Sequence, residues 1–140
     1  MTETLSNLID GRLAAPVNGR WLDVFEPATG ERYARCPDSD AADIDLAVAA
    51  AERAFPDWSR RPAGERAQCL NRLADLVESR LEAFAVAESR DSGKPLALAR
   101  SVDIPRAVSN LRFFAAAITQ WSSEAHAMED RALNYTLRQP

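Results

Sequence analysis

Apolar and polar positions alternate through the first third of the chain and then switch to a helical period. Leu8-Ile-Asp-Gly-Arg-Leu-Ala14 is a short apolar run broken by Asp10-Gly11, a dipeptide that accepts positive φ and so predicts a small hairpin. Trp21-Leu-Asp-Val-Phe25 and Glu31-Arg-Tyr-Ala-Arg-Cys36 each alternate, and Glu26-Pro-Ala-Thr-Gly30 between them has the residues of a turn, which predicts a second hairpin. A β-hairpin arm over 8–36 is the expectation.

Beyond residue 38 the spacing becomes 3.6. Asp40 is placed to cap a helix with Asp43 and Asp45 in its first turn, near the positive end of the dipole, and with Ile44, Ala47, Val48, Ala51 and Phe55 on one face. Pro56 is expected to close that helix and Pro62 to enter the first turn of the next, whose stripe is Leu70, Leu73, Ala74, Val77 and Leu81. A break near Ser79 starts a helix carrying Leu81, Phe84, Ala85 and Ala87, with Gly93 as its stop. Pro95 opens a short segment, and Ala107, Val108, Leu111, Phe114, Ala115 and Ile118 mark the longest helix, so that helices occupy 41–121. Ala132 to Arg138 alternates like a strand, with no turn or partner segment after it, and 132–140 is read as the start of a strand.

Composition narrows the class. The chain has 140 residues, 46% of them hydrophobic and 27% charged, which favours a globular core over disorder. A net charge of −4 supplies no general attraction to nucleic acid or anionic membranes. No apolar run approaches the roughly 18 residues of a membrane span, and Met1 to Asp10 is polar, so the expectation is a cytoplasmic protein with neither nucleic-acid nor membrane partner. Cys36, Cys69 and His126 have no metal-ligand spacing and read as two structural thiols and an ordinary imidazole. There is no glycine-rich phosphate loop: Gly93-Lys94 is followed by Pro95 where a P-loop needs Ser or Thr. Asp38 with Asp40, and Asp43 with Asp45, read as helix-start residues rather than acid–base pairs. Spacing alone reveals no activity.

Several phrases nevertheless carry a likeness: Leu8-Ile-Asp-Gly11, Glu26-Pro-Ala-Thr-Gly-Glu31, Asp43-Ile-Asp-Leu-Ala-Val-Ala-Ala-Ala51, Ala87-Glu-Ser-Arg-Asp-Ser-Gly-Lys-Pro95 and Phe113-Phe-Ala115. In their order and spacing they resemble the N-terminal portion of the aldehyde dehydrogenase superfamily. Leu98-Ala-Arg-Ser-Val-Asp-Ile-Pro-Arg106, Asn110 and Ala132-Leu-Asn-Tyr135 are similar to the branch acting on 2-aminomuconic and 2-hydroxymuconic semialdehydes.

The resemblance implies an α/β fold of which this sequence supplies hairpins, amphipathic helices and one interface strand, while the Rossmann sheet and catalytic domain lie beyond residue 140. It implies that NAD or NADP serves the intact enzyme, that the enzyme is a homo-oligomer (dimer or tetramer), and that its thiol nucleophile, oxyanion donors and water-activating glutamate are absent here. No catalytic residue and no cofactor-binding residue is expected in these 140 residues, and the segment alone is expected to be inactive and to bind no cofactor. Three carry-overs remain. Arg106 matches a position lining the aldehyde tunnel, where a guanidinium fits a substrate carboxylate; the competing reading is a solvated arginine paired with Asp103 or another acid. Val102 shares its face if the helix persists through Pro105. The carbonyl of Val24 and an oxygen of Asp91 match ligands of a monovalent cation, a hard ion that suits oxygen; alternatively, Asp91 merely ends its helix. A second hypothesis is a stand-alone helical module docking on a partner subunit. If the helices lean on a sheet outside the chain, the Leu111/Ile118 stripe is left uncovered.

Overall fold

In the computed structural model, which describes residues 3–138, the chain runs through five short strands, a succession of helices and a final hairpin. The strands are β1 (Glu3–Thr4), β2 (Asn7–Ile9), β3 (Arg12–Ala14), β4 (Trp21–Phe25) and β5 (Arg32–Pro37). As the alternation predicts, β2 pairs antiparallel with β3 around Asp10-Gly11, both of which have positive φ, and β4 pairs antiparallel with β5. The polar start of the chain gave no hint of β1, which adds to β5 in parallel with Glu3 opposite Ala34. Two residues of backbone bonding cannot be seen in a hydrophobic pattern.

Val24 faces Ala34 but Phe25 faces Arg32, so Tyr33 is an extra residue on β5 without a cross-strand partner. Such a bulge bends the strand and re-aims a side chain.

The helices are α1 (Ala41–Arg60), α2 (Ala63–Ser79), α3 (Leu81–Ser92), the single turn α4 (Leu96–Leu98) and α5 (Ile104–Gln120). Asp40 caps α1 as expected, its side chain accepting from the Ala42 N–H at 3.0 Å, while Asp43 returns the bond to the Asp40 N–H at 3.2 Å. Asp43 does more than start a helix. It is only 3% exposed and also accepts from the Val17 N–H (3.0 Å) and Asn7 Nδ2 (3.4 Å), tying the arm to α1.

Two proline expectations need correction. Pro56 does not close α1, which continues to Arg60; the carbonyl that loses its donor is that of Glu52, an exposed residue open to solvent. Pro62 is the residue before α2 rather than inside its first turn. Arg80 separates α2 from α3, and Gly93 ends α3 in the left-handed conformation at φ 75°, both close to expectation. Helix does persist through Pro105, by a device that spacing did not suggest. Residues Ala99–Asp103 form a π-turn in which the Ile104 N–H reaches back to the Ala99 carbonyl, five residues away. The widened turn relieves the crowding that a proline ring imposes on the preceding turn.

The last strand is not unpaired. β6 (Ala125–Met128) precedes it and pairs antiparallel with β7 (Ala132–Tyr135), His126 facing Asn134. The alternation of 125–128 is too short and too weak to signal a strand. Residues 139–140 of the expected strand lie outside the described residues.

Packing is where composition misleads most. A compact 15.4 kDa monomer exposes about 7,200 Å², whereas this chain exposes 10570 Å². The buried positions are mainly alanines, namely Ala34, Ala50, Ala67, Ala74, Ala85, Ala99 and Ala115, with Pro16, Ile104 and Val108. No large side chain among the described residues is fully buried. Alanine contacts let helix axes approach closely, but each removes little apolar area from water. The predicted face of α1 stays open, with Ile44 59% and Phe55 51% exposed. On α5, Val108 and Ala115 are buried and Leu111 is half-buried, but Phe114 and Ile118 are exposed, so the stripe is only partly covered. Trp58, Leu70, Phe113, Phe114, Ile118 and Trp121 line an open apolar hollow of about 560 Å³ between α1, α2 and α5.

Candidate functional site

The turn between β4 and β5 and the segment after α3 meet across the molecule. Gly93 lies so close to the turn that a Cβ built on it would sit 2.9 Å from the Pro27 Cβ. Arg90 Nε donates to Glu26 Oε2 at 3.0 Å, and its guanidinium stacks over the Tyr33 ring at 4.3 Å. The bulge has turned Tyr33 toward α3, where its hydroxyl donates to Asp91 Oδ1 at 2.7 Å. That bond to the carboxylate, aided by lost solvation, holds the phenol above its ordinary value. Glu26, Ala28, Ser89, Arg90, Gly93 and Lys94 border a hollow of about 220 Å³ at this junction.

Lys94, the sole lysine of the sequence, carries the junction onward. The Ser89 hydroxyl donates to its carbonyl at 2.7 Å, and its ammonium binds Glu88 Oε1 at 2.8 Å and Asp103 Oδ2 at 2.9 Å. The hydrogen bonds it donates to the two carboxylates, Glu88 foremost, raise its pKa above the usual lysine value. One carboxylate belongs to α3 and the other closes the π-turn, so Lys94 fastens the turn to the helix before it. Arg100, inside the π-turn, adds a second tie through a bidentate pair with Glu82 at 2.6 and 2.7 Å.

Arg106 stands three residues past Asp103, on the first turn of α5. It is exposed, and among the described residues its guanidinium enters no ion pair or side-chain hydrogen bond. The pairing with Asp103 weighed from the sequence is not formed, because Lys94 occupies that carboxylate. Val102 is 42% exposed within the π-turn, four residues before Arg106 on a continuous helical path. Val24 is half-buried in β4, opposite Ala34, which adjoins Tyr33. Asp91 lies at the end of α3 with one carboxylate oxygen already engaged by the Tyr33 hydroxyl. No group of three or more His, Cys, Asp or Glu with metal-binding placement occurs among the described residues, and none of the helices described is long and apolar enough to cross a membrane.

The sulfur-bearing candidates remain apart. Cys36 is half-buried on β5, and Cys69 on α2 accepts from Arg72 Nη2 at 3.1 Å. His126 is exposed on β6 with Asn134 at 3.4 Å. What sequence reasoning missed is the Tyr33 bulge and the Lys94 bridge. The isolation of a single lysine among so many arginines was the only visible signal for the second.

Carboxylate–arginine pairs brace the helices elsewhere. Arg112 on α5 bridges Asp75 at 2.8 Å and Glu78 at 2.6 Å on α2, and these contacts hold Glu78 below its ordinary 4.5, as Arg100 does Glu82. A carboxylate whose pKa is depressed on folding contributes stability above its unfolded value and loses it as pH falls through the folded one. The urea midpoint is therefore expected to hold steady above about pH 5 and decline below it, with E78Q/E82Q flattening that decline. An acid limb unchanged in the double variant counts against these pairs as its source.

The chain's relatives accord with this arrangement. Residues 15–140 match the model of the Aldehyde dehydrogenase family. The chain is 46% identical to 2-aminomuconic semialdehyde dehydrogenase of Danio rerio and 48% identical to that of Homo sapiens. Each match spans 137 residues, 97% of this chain and 28% of the relative. The solved NAD+ complex of an aldehyde dehydrogenase from Bacillus cereus superposes with a TM-score of 0.91 at 32% identity, over 95% of this chain and 28% of that one. The chain thus spans little more than a quarter of the length of the proteins it matches. With the family matched over nearly the whole sequence, the chain belongs to the aldehyde dehydrogenase family.

Proposed function

We propose that these residues form the N-terminal part of an NAD(P)-dependent dehydrogenase that oxidises a carboxylate-bearing semialdehyde of the muconic type to the dicarboxylate. Arg106 pairs with the substrate's existing carboxylate and Val102 lines the approach beside it. The observation that carries this reading is an exposed guanidinium without a partner, among the described residues, at the start of the long helix. Its context is a chain 46–48% identical to 2-aminomuconic semialdehyde dehydrogenases. An arginine fork matches a carboxylate in two parallel hydrogen bonds, so it both binds the substrate and sets its orientation. The aldehyde is then held at a fixed distance from the anchored end.

NAD, when bound, accepts the hydride. The described residues hold no glycine-rich turn leading from a parallel strand into a helix, so none is assigned to the dinucleotide and no step is derived through it. NAD is favoured over NADP by the kinship with the muconic branch. The Val24 carbonyl and Asp91 are proposed as two oxygen ligands of a structural monovalent cation, since hard oxygen donors suit such an ion and one Asp91 oxygen is not engaged by Tyr33. The parent enzyme is read as a cytoplasmic homo-oligomer, a dimer or tetramer, with the β6–β7 hairpin contributing to subunit contacts.

The test is a comparison of two aldehydes of equal carbon number, one ending in a carboxylate and one in a methyl group. In the dehydrogenase that contains this segment, NADH formation is expected to show at least a roughly tenfold higher kcat/KM for the anionic aldehyde, the advantage of one charge-assisted contact. Equal values would refute the assignment of Arg106.

A further inference from the structure

We infer that Lys94 is a positioning residue: by holding Asp103 it keeps the guanidinium of Arg106 open to an anionic substrate. The inference rests on the proposed role of Arg106 for its consequence in catalysis, but its physical content concerns three residues of this chain alone.

Residues three apart on a helix are side-chain neighbours, so an Asp followed by an Arg at that spacing is within reach of an ion pair. Asp103 and Arg106 have that spacing, yet Asp103 Oδ2 lies 2.9 Å from Lys94 Nζ and Arg106 is left without a partner among the described residues. Lys94 is well suited to compete. Its backbone is fixed by the Ser89 hydroxyl at its carbonyl and by the tight seat of Gly93 on Pro27, and Glu88 draws the same ammonium from the other side at 2.8 Å. A side chain anchored at both ends loses little further freedom in binding Asp103, whereas Arg106 would have to order a long side chain in water to do so. The π-turn ends at Asp103, whose carboxylate meets Lys94 in the segment after α3.

Without Lys94, Asp103 is released three residues from Arg106. Its charge then masks the guanidinium and repels an incoming carboxylate. A merely structural lysine predicts something different, because removing Asp103 as well would then repair nothing.

The experiment is a double-mutant cycle on two readouts. In the 140-residue chain, the Arg106 Nε–Hε NMR signal is expected to move in K94M, as a new ion pair forms, and to return toward its original position in K94M/D103N. In the dehydrogenase that contains this segment, K94M is expected to lower the anionic-to-neutral kcat/KM ratio about fivefold, mainly through KM. K94M/D103N restores that ratio to within about twofold and K94R retains most of it. An Arg106 signal that does not respond to K94M, or that stays displaced in the double variant, overturns the inference. If the NMR cycle behaves as expected but the two aldehydes are never distinguished, the failure belongs to the proposed substrate and not to the Lys94–Asp103 switch.

Discussion

Replacing Arg106 by methionine is expected to lower kcat/KM for a carboxylate-bearing semialdehyde by roughly ten- to a hundredfold relative to a neutral aldehyde of the same length. A hydrogen bond to a charged group contributes about 1.5–3 kcal/mol, which spans that range. Methionine keeps the length and much of the packing of the arginine stem, so the change isolates the guanidinium. On the proposed reading the contact is with the substrate's carboxylate rather than its aldehyde, and it is made in ground state and transition state alike. The loss is therefore expected in KM more than in kcat. Arg106→Lys restores the charge without the fork, so partial recovery is expected. A variant with the wild-type ratio of the two substrates would show that the exposed guanidinium is solvent decoration.

Gly93→Ala is expected to be the most damaging single methyl group in the chain. A residue with a side chain at φ +75° costs about 1–2 kcal/mol, and the added carbon would stand 2.9 Å from the Pro27 Cβ and 3.4 Å from its Cγ. Both contacts are with a rigid ring in a tight turn, so the segment after α3 must lift. A further cost of about 1–3 kcal/mol is typical of such overpacking. Gly30 provides the control. Its φ of +73° is nearly the same, but a Cβ there would meet nothing within 4 Å, so Gly30→Ala bears the backbone cost alone. The difference between the two urea midpoints measures the contact with Pro27. Equal losses would mean that the turn and the end of α3 do not press together.

Much of the fold is legible in local chemistry. The Asp40 cap, both arm hairpins, the stop at Gly93 and the stripe of α5 depend on neighbours within a few residues, and such preferences are written directly into the pattern. Pro56 and Pro105 mislead for the same local reason. A missing N–H predicts a break, but a solvent-facing turn tolerates one loss and a π-turn absorbs the other. The strand β6 stays hidden because four exposed residues acquire strand geometry only from pairing with β7. The candidate residues Arg106, Val102, Val24 and Asp91 came from likeness to a family, and what that likeness did not convey was their electrostatic setting.

Periodicity, caps and turn dipeptides specify where this chain bends and which faces of its helices are apolar, since those preferences act over one or two turns of backbone. They are silent on which charges meet. Lys94 reaches a carboxylate six residues behind it and another nine ahead, and Tyr33 reaches Asp91 across 58 positions, because a bulge, a left-handed glycine and a π-turn re-aim the elements that bear them. Whether Arg106 is neutralised or free is thus a property of the folded arrangement. Ion pairing depends on separation in space, and three-dimensional packing alone sets that separation.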